Sequence, residues 1–155
     1  EPAGGGGSAF ASVDAPGLPW RPTRSAWCYG YPGVAAALLA AARAAGEPGW
    51  ERAATELALR AARRPPDECG VVDAGLCHGA AGLAQIYNRL WQATGDERLR
   101  RAATDWAHRA LDFPVPDDPG LLVGAAGVAL ALLATVSDVE PEWDRVLLLS
   151  PLAPS

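Results

Sequence analysis

Hydrophobic positions along the chain fall into two kinds of helical run, and the two kinds alternate. Val34 to Ala45 is apolar at nearly every position except Arg43, which predicts a helix over 33–45 buried on most sides. Pro32 suits its first turn and Gly46 suits a left-handed end. The next run is one-sided. Trp50, Ala53, Ala54, Leu57, Ala58 and Ala61 share a stripe, while Glu51, Arg52, Glu56, Arg60, Arg63 and Arg64 take the other faces. That pattern predicts an amphipathic helix over 49–64, stopped by Pro65-Pro66. A third helix is expected over 80–94, with Leu83, Ile86, Tyr87, Leu90 and Trp91 on its apolar side and Gly95 closing it. Asp96 then caps a fourth over 96–111, whose stripe of Leu99, Ala102, Ala103, Trp106, Ala107 and Ala110 repeats the spacing of the second. The fifth, over 124–136, is apolar all round.

Buried, amphipathic, buried, amphipathic, buried is the order that stacked helical hairpins give, with an inner and an outer row. The expected class is therefore all-α. The ends of such an array leave apolar faces open, such as Val34–Leu38 and Val128–Leu132. The flanks are different in kind. Residues 1–25 carry Gly4 to Gly7, Pro16, Pro19 and Pro22 and read as a linker, with Trp20 as its anchor. The domain proper is expected over 26–155, its tail bearing an apolar patch at Val146–Leu149 that packs on the body.

Composition narrows the function. The 13 basic residues are all arginine and scattered, and the net charge is -5, so no nucleic-acid or anionic-membrane footprint is present. No apolar run is long enough for a transmembrane segment. Three cysteines is an odd number, which favours metal binding or catalysis in a reducing compartment over a disulfide framework. The absence of lysine beside abundant alanine, glycine, proline and arginine suggests a GC-rich bacterial source.

Chemistry concentrates where the inner helices begin. Trp27-Cys28-Tyr29-Gly30-Tyr31-Pro32-Gly33, Leu76-Cys77-His78-Gly79-Ala80-Ala81-Gly82 and Leu122-Val123-Gly124-Ala125-Ala126-Gly127 share one shape. Gly30, Gly79 and Gly124 are 49 and 45 residues apart, and in that register Cys28 falls on Cys77. Hairpin stacking puts all three motifs at one end, so Cys28, Cys77 and His78 are expected to meet there. Two sulfurs and an imidazole, with a fourth position open, is the donor set of catalytic zinc. A helix N-terminus beside each cysteine favours thiolate. Gly30, Gly33, Gly79 and Gly82 omit side chains where backbones and substrate approach closely. The plainer reading is that free cysteines are common in helical cores and His78 simply ends a loop. Cys69 has no copy in the other repeats and reads as a bystander, and His108 lies off the apolar stripe and is expected in solvent.

These motifs, from Arg24-Ser-Ala-Trp27-Cys28-Tyr29-Gly30 through Cys77-His78-Gly79 to Gly124-Ala-Ala-Gly127, resemble the lanthipeptide cyclases, the lanthionine synthetase C-like family, over about residues 20–150. The ending Trp143-Asp144-Arg145 resembles the tail of free-standing bacterial cyclases. The resemblance implies an α/α toroid with zinc at the mouth of its inner ring, here as an incomplete ring corresponding to the C-terminal portion. It implies Cys28, Cys77 and His78 as Zn2+ ligands and puts Arg24 and Tyr29 at active-site positions. It also implies addition of a cysteine thiolate to dehydroalanine or dehydrobutyrine in a dehydrated precursor peptide, after a dehydratase has acted, in the cytoplasm. The family's catalytic Asp and His belong to the earlier half of the toroid, and their motifs are not in this sequence. Two other readings stand beside cyclisation: a zinc- or peptide-binding module without catalysis, and a structural repeat fragment with incidental cysteines.

Overall fold

Five α-helices of similar length carry the chain in a computed structural model that describes residues 10–13 and 15–149. They are α1 (Tyr31–Ala45), α2 (Pro48–Ala62), α3 (Ala80–Thr94), α4 (Glu97–Leu111) and α5 (Ala125–Val136). No strand occurs among the described residues; the one ladder-like contact is an isolated bridge between Ala11 and Pro22. The expected boundaries hold to within two residues, because the end signals are local. Gly46 and Gly95 take left-handed conformations at φ 68° and 71° and close α1 and α3. Asp96 caps α4 by accepting the Arg98 N–H at 2.9 Å. Pattern reading did not foresee two short 3₁₀ turns, Pro66–Glu68 and Glu142–Leu147, which are too brief to show a period.

α1 packs on α2 and α3 on α4 as antiparallel hairpins, while α1, α3 and α5 form one row and α2 and α4 the other. This is an all-α array of helical hairpins in two rows. Its core joins Leu39 and Ala35 of α1 to Leu83, Ile86 and Leu90 of α3 and Leu99 of α4, all with no measurable exposure. Each leucine or isoleucine among them contributes about 1.5–3 kcal/mol on burial. Arg43, the lone charge in α1, ties three elements together: it meets Glu51 at 3.2 Å and donates to the Ala93 carbonyl at the far end of α3.

Four expectations need correction. α1 and α5 are not buried all round. Val34, Ala37 and Ala41 on α1, and Ala129, Leu133 and Val136 on α5, are exposed, because each helix has a row neighbour on one side only. Val128, placed on the open face beforehand, is buried. The helix enclosed on every side is α3, where Ala80 through Leu90 are all buried, including Gln85, Asn88 and Arg89. On α2 the buried line is Ala54, Ala58 and Ala61; Trp50 and Ala53 lie outside it and are exposed.

Trp20, expected as the anchor of the N-terminal stretch, is likewise exposed. The stretch read as a linker is held elsewhere: Phe10 meets the Tyr31 ring edge-on at 5.0 Å, and Thr23 and Ser25 are buried. Residues 1–9 of that stretch lie outside the described residues. The tail docks through alternate positions, Leu147 and Leu149 buried, Val146 and Leu148 exposed. Sequence pattern missed its polar anchor. Asp144 is fully buried, lies 2.9 Å from Arg89 Nε and accepts from Gln85 Nε2 at 2.6 Å. Glu140 also contacts the Arg89 guanidinium.

Candidate metal centre

Each inner helix is approached by a loop built the same way. The second glycine of each motif sits against the carbonyl six residues earlier: a Cβ at Gly33, Gly82 or Gly127 would fall on the oxygen of Trp27, Leu76 or Leu121. Gly30, with φ +89°, and Gly79 are equally confined, by the Arg24 carbonyl and by the Asp73–Gly75 turn. Each of these glycines stands where a Cβ would meet protein atoms. The closeness is between the loop and its own helix start.

Adjacent loops are joined through the backbone of one residue. The Cys77 N–H donates to the Leu122 carbonyl at 2.7 Å, and the Cys77 carbonyl accepts from the N–H groups of Trp27 and Cys28 at 3.1 and 3.4 Å. Leu122 is the register partner of the two cysteines, so the third motif contributes a splint where it lacks a ligand. The Trp27 indole donates to the Leu147 carbonyl at 3.0 Å, fastening the residue before Cys28 to the docked tail. No sequence signal marks these bonds, because backbone groups carry no residue identity.

This framework brings together the three residues singled out by the repeat. One ligand atom each from Cys28, Cys77 and His78 lies within 4.8 Å of the others. Thiolates on a tetrahedral metal, each about 2.3 Å from it, are ~3.8 Å apart. A contraction of about 1 Å, within reach of loop side chains, would close the set. The donor chemistry also fits, since two sulfurs and one imidazole nitrogen are borderline-soft ligands that suit zinc. Cys28 is exposed and Cys77 and His78 are half-buried, so the cluster opens to solvent on one side.

The electrostatics depart from the thiolate expected beside a helix N-terminus. Burial, then the neighbouring Cys28 sulfur, pushes the Cys77 thiol up to about 11, against the downward pull of Arg24. Two close sulfurs oppose each other's ionisation, and one helix end does not offset that. A divalent cation between them would.

Arg24 and Tyr29 sit together beside the cluster, the guanidinium 5.7 Å from the Tyr29 ring centre. Both line a groove of about 480 Å³ with Thr23, Arg64, Glu68 and Val72. Cys69 is outside the cluster and buried; burial raises its thiol, and Sγ faces the Arg64 carbonyl at 3.8 Å. His108 is exposed on α4. Sequence reasoning missed Asp73, whose Oδ2 is 3.4 Å from His78 Nε2. The signal was present: Asp73-Ala-Gly75 and Asp118-Pro-Gly120 hold the same place in two motifs.

Comparison with known proteins agrees with the geometry. The family model for lanthionine synthetase C-like protein matches residues 17–148. Among solved structures, a nisin cyclase superposes with a TM-score of 0.72 at 23% identity, over 83% of this chain and 32% of that one. The chain thus spans about a third of that protein's length.

Proposed function

The chain belongs to the lanthionine synthetase C-like family, and from that premise we propose that it is the zinc-bearing portion of a lanthipeptide cyclase. Its substrate is a dehydrated precursor peptide, and its product a lanthionine or methyllanthionine thioether ring. The convergence of Cys28, Cys77 and His78 carries the reading. Zinc held by these three residues would lower the pKa of a substrate cysteine thiol, making thiolate available near neutral pH.

The chain's own residues do the rest of the local work. Cys28, Cys77 and His78 hold the cation, and the backbone bonds centred on Cys77 keep the first two loops in register. Arg24 and Tyr29 take the active-site positions beside them. As the sulfur–carbon bond forms, the alkene electron pair moves toward the neighbouring carbonyl, and in this reading the Arg24 guanidinium favours that negative charge. The α-carbon then takes a proton from an acid. The groove that Arg24 and Tyr29 line lies beside the three ligands and offers the substrate peptide a place to rest. Because the reaction needs free thiols, the reading carries a reducing bacterial cytoplasm with it, and a dehydratase acting first. Among the described residues no helix is long and apolar enough to cross a membrane.

Elemental analysis of the purified, reduced chain tests the metal. One equivalent of zinc is expected, lost in Cys77→Ala and kept in Cys69→Ala. A cyclisation assay on a dehydrated peptide, counting alkylatable thiols by mass, then separates a cyclase from a binding module. Zinc absent from the reduced protein, or retained in full by Cys77→Ala, would overturn the assignment.

A further inference from the structure

Asp73 occupies the turn that precedes α3 and divides its two oxygens between two tasks. Oδ1 accepts the Gly75 N–H at 2.7 Å, and Oδ2 stands 3.4 Å from Nε2 of His78. The third repeat separates the tasks. Asp118 makes the same turn, with Oδ1 accepting the Gly120 N–H at 2.5 Å. Five residues on, where the second repeat has His78, it has Val123. The turn therefore needs only the first oxygen, and the second meets an imidazole only where a histidine stands beside a cysteine.

A neutral imidazole carries its proton on one nitrogen, and the partner of the other decides which. An ionised carboxylate only accepts, so Asp73 favours the proton on Nε2. Nδ1 is left with its lone pair. We propose that Asp73 is the positioning residue of this centre: it fixes the tautomer and rotation of His78 so that Nδ1 faces the space shared with the two sulfurs. The proposal rests on the metal reading above for its consequence, but not for its geometry. A contact of 3.4 Å is long, as such contacts commonly are before a site is filled, and the proposal expects it to tighten when the ring is held from the other side. Outer partners of this kind are worth about 10–100-fold in metal affinity.

The isosteric change Asp73→Asn tests it. Its amide oxygen still accepts from Gly75, while its NH2 faces Nε2 and asks that nitrogen to be an acceptor. Long-range ¹H–¹⁵N correlation spectra of the metal-free protein, at a pH about two units above the ordinary histidine value, report the tautomer directly. The chain has only two histidines, so a His108→Gln variant assigns His78. Wild type should show the Nε2–H form and Asp73→Asn should move toward Nδ1–H. Zinc affinity, by competition with a chelator, should fall about 10–100-fold in Asp73→Asn. Asp118→Asn, which alters only the common turn, should change neither. An Nδ1–H tautomer in wild type overturns the proposal, and so does an equal loss of affinity in Asp118→Asn. Failure of wild type to bind zinc removes the metal reading instead, and the metal-free tautomer still decides the role of Asp73.

Discussion

Removing the Asp144 carboxylate should unfasten the tail from α3 and cost a large part of the folding free energy. Asp144 is fully buried and Arg89 is 2% exposed, with Arg89 Nε 2.9 Å from Asp144 Oδ2. Breaking a buried pair by deleting one partner costs about 3–5 kcal/mol, because the surviving charge stays in low dielectric. The lost Gln85 bond adds ~1 kcal/mol. Glu140 still faces the guanidinium, but its side chain is 49% exposed, so it offsets only about 1 kcal/mol. The net expectation for Asp144→Ala is about 3–5 kcal/mol, against a typical domain stability of roughly 5–15 kcal/mol. Urea unfolding followed by tryptophan fluorescence measures it as a lowered midpoint. Because the tail carbonyl of Leu147 holds the Trp27 indole, zinc affinity at neighbouring Cys28 should fall as well. The double change Arg89→Leu with Asp144→Leu should recover much of the loss, since no charge is then left stranded. A loss under about 1 kcal/mol for Asp144→Ala, or a double variant as unstable as the two single losses added together, would refute this reasoning.

Three other changes probe the helix ends. Gly82→Ala puts a Cβ on the Leu76 carbonyl and should abolish folding or displace Cys77 and His78, whereas Gly95→Ala, with nothing within 4 Å, should cost only the left-handed penalty of about 1 kcal/mol; thermal unfolding and zinc content compare them, and equal effects would contradict the packing argument. Asp96→Ala should cost ~1 kcal/mol near neutral pH through loss of the α4 cap. The Arg98 guanidinium beside it holds the Asp96 carboxyl down at about 2, so its charged-state stabilisation is complete above the ordinary carboxyl value. It is lost as pH falls from about 4 through 2, and the gap between variant and wild type should narrow over that window.

Helix number, type and ends were legible in the sequence because they rest on near-neighbour physics. A 3.6-residue period, glycines able to take positive φ at 46 and 95, and an aspartate at 96 act within one turn of where they stand. The candidate centre was legible for another reason. A repeat makes long-range geometry local, so aligning Gly30 with Gly79 placed Cys28 over Cys77 before any contact was known. What the sequence could not decide was which apolar face had a neighbour. α1 and α5 read as more apolar than α3, yet α3 alone is enclosed, and it carries Gln85, Asn88 and Arg89.

The reason is that burial belongs to a helix's place in the row, and a buried polar side chain is recognised only once its partner is known. Nothing in the sequence marks Arg89 as buried; its partner Asp144 stands 55 residues later. The Cys77 backbone bonds to Trp27, Cys28 and Leu122 left no trace in residue types, because every residue but proline offers the same N–H and C=O. In the sequence Asp73 shows only as an aspartate that recurs, with Gly75, as Asp118 and Gly120. Only the folded loop turned its second oxygen toward His78.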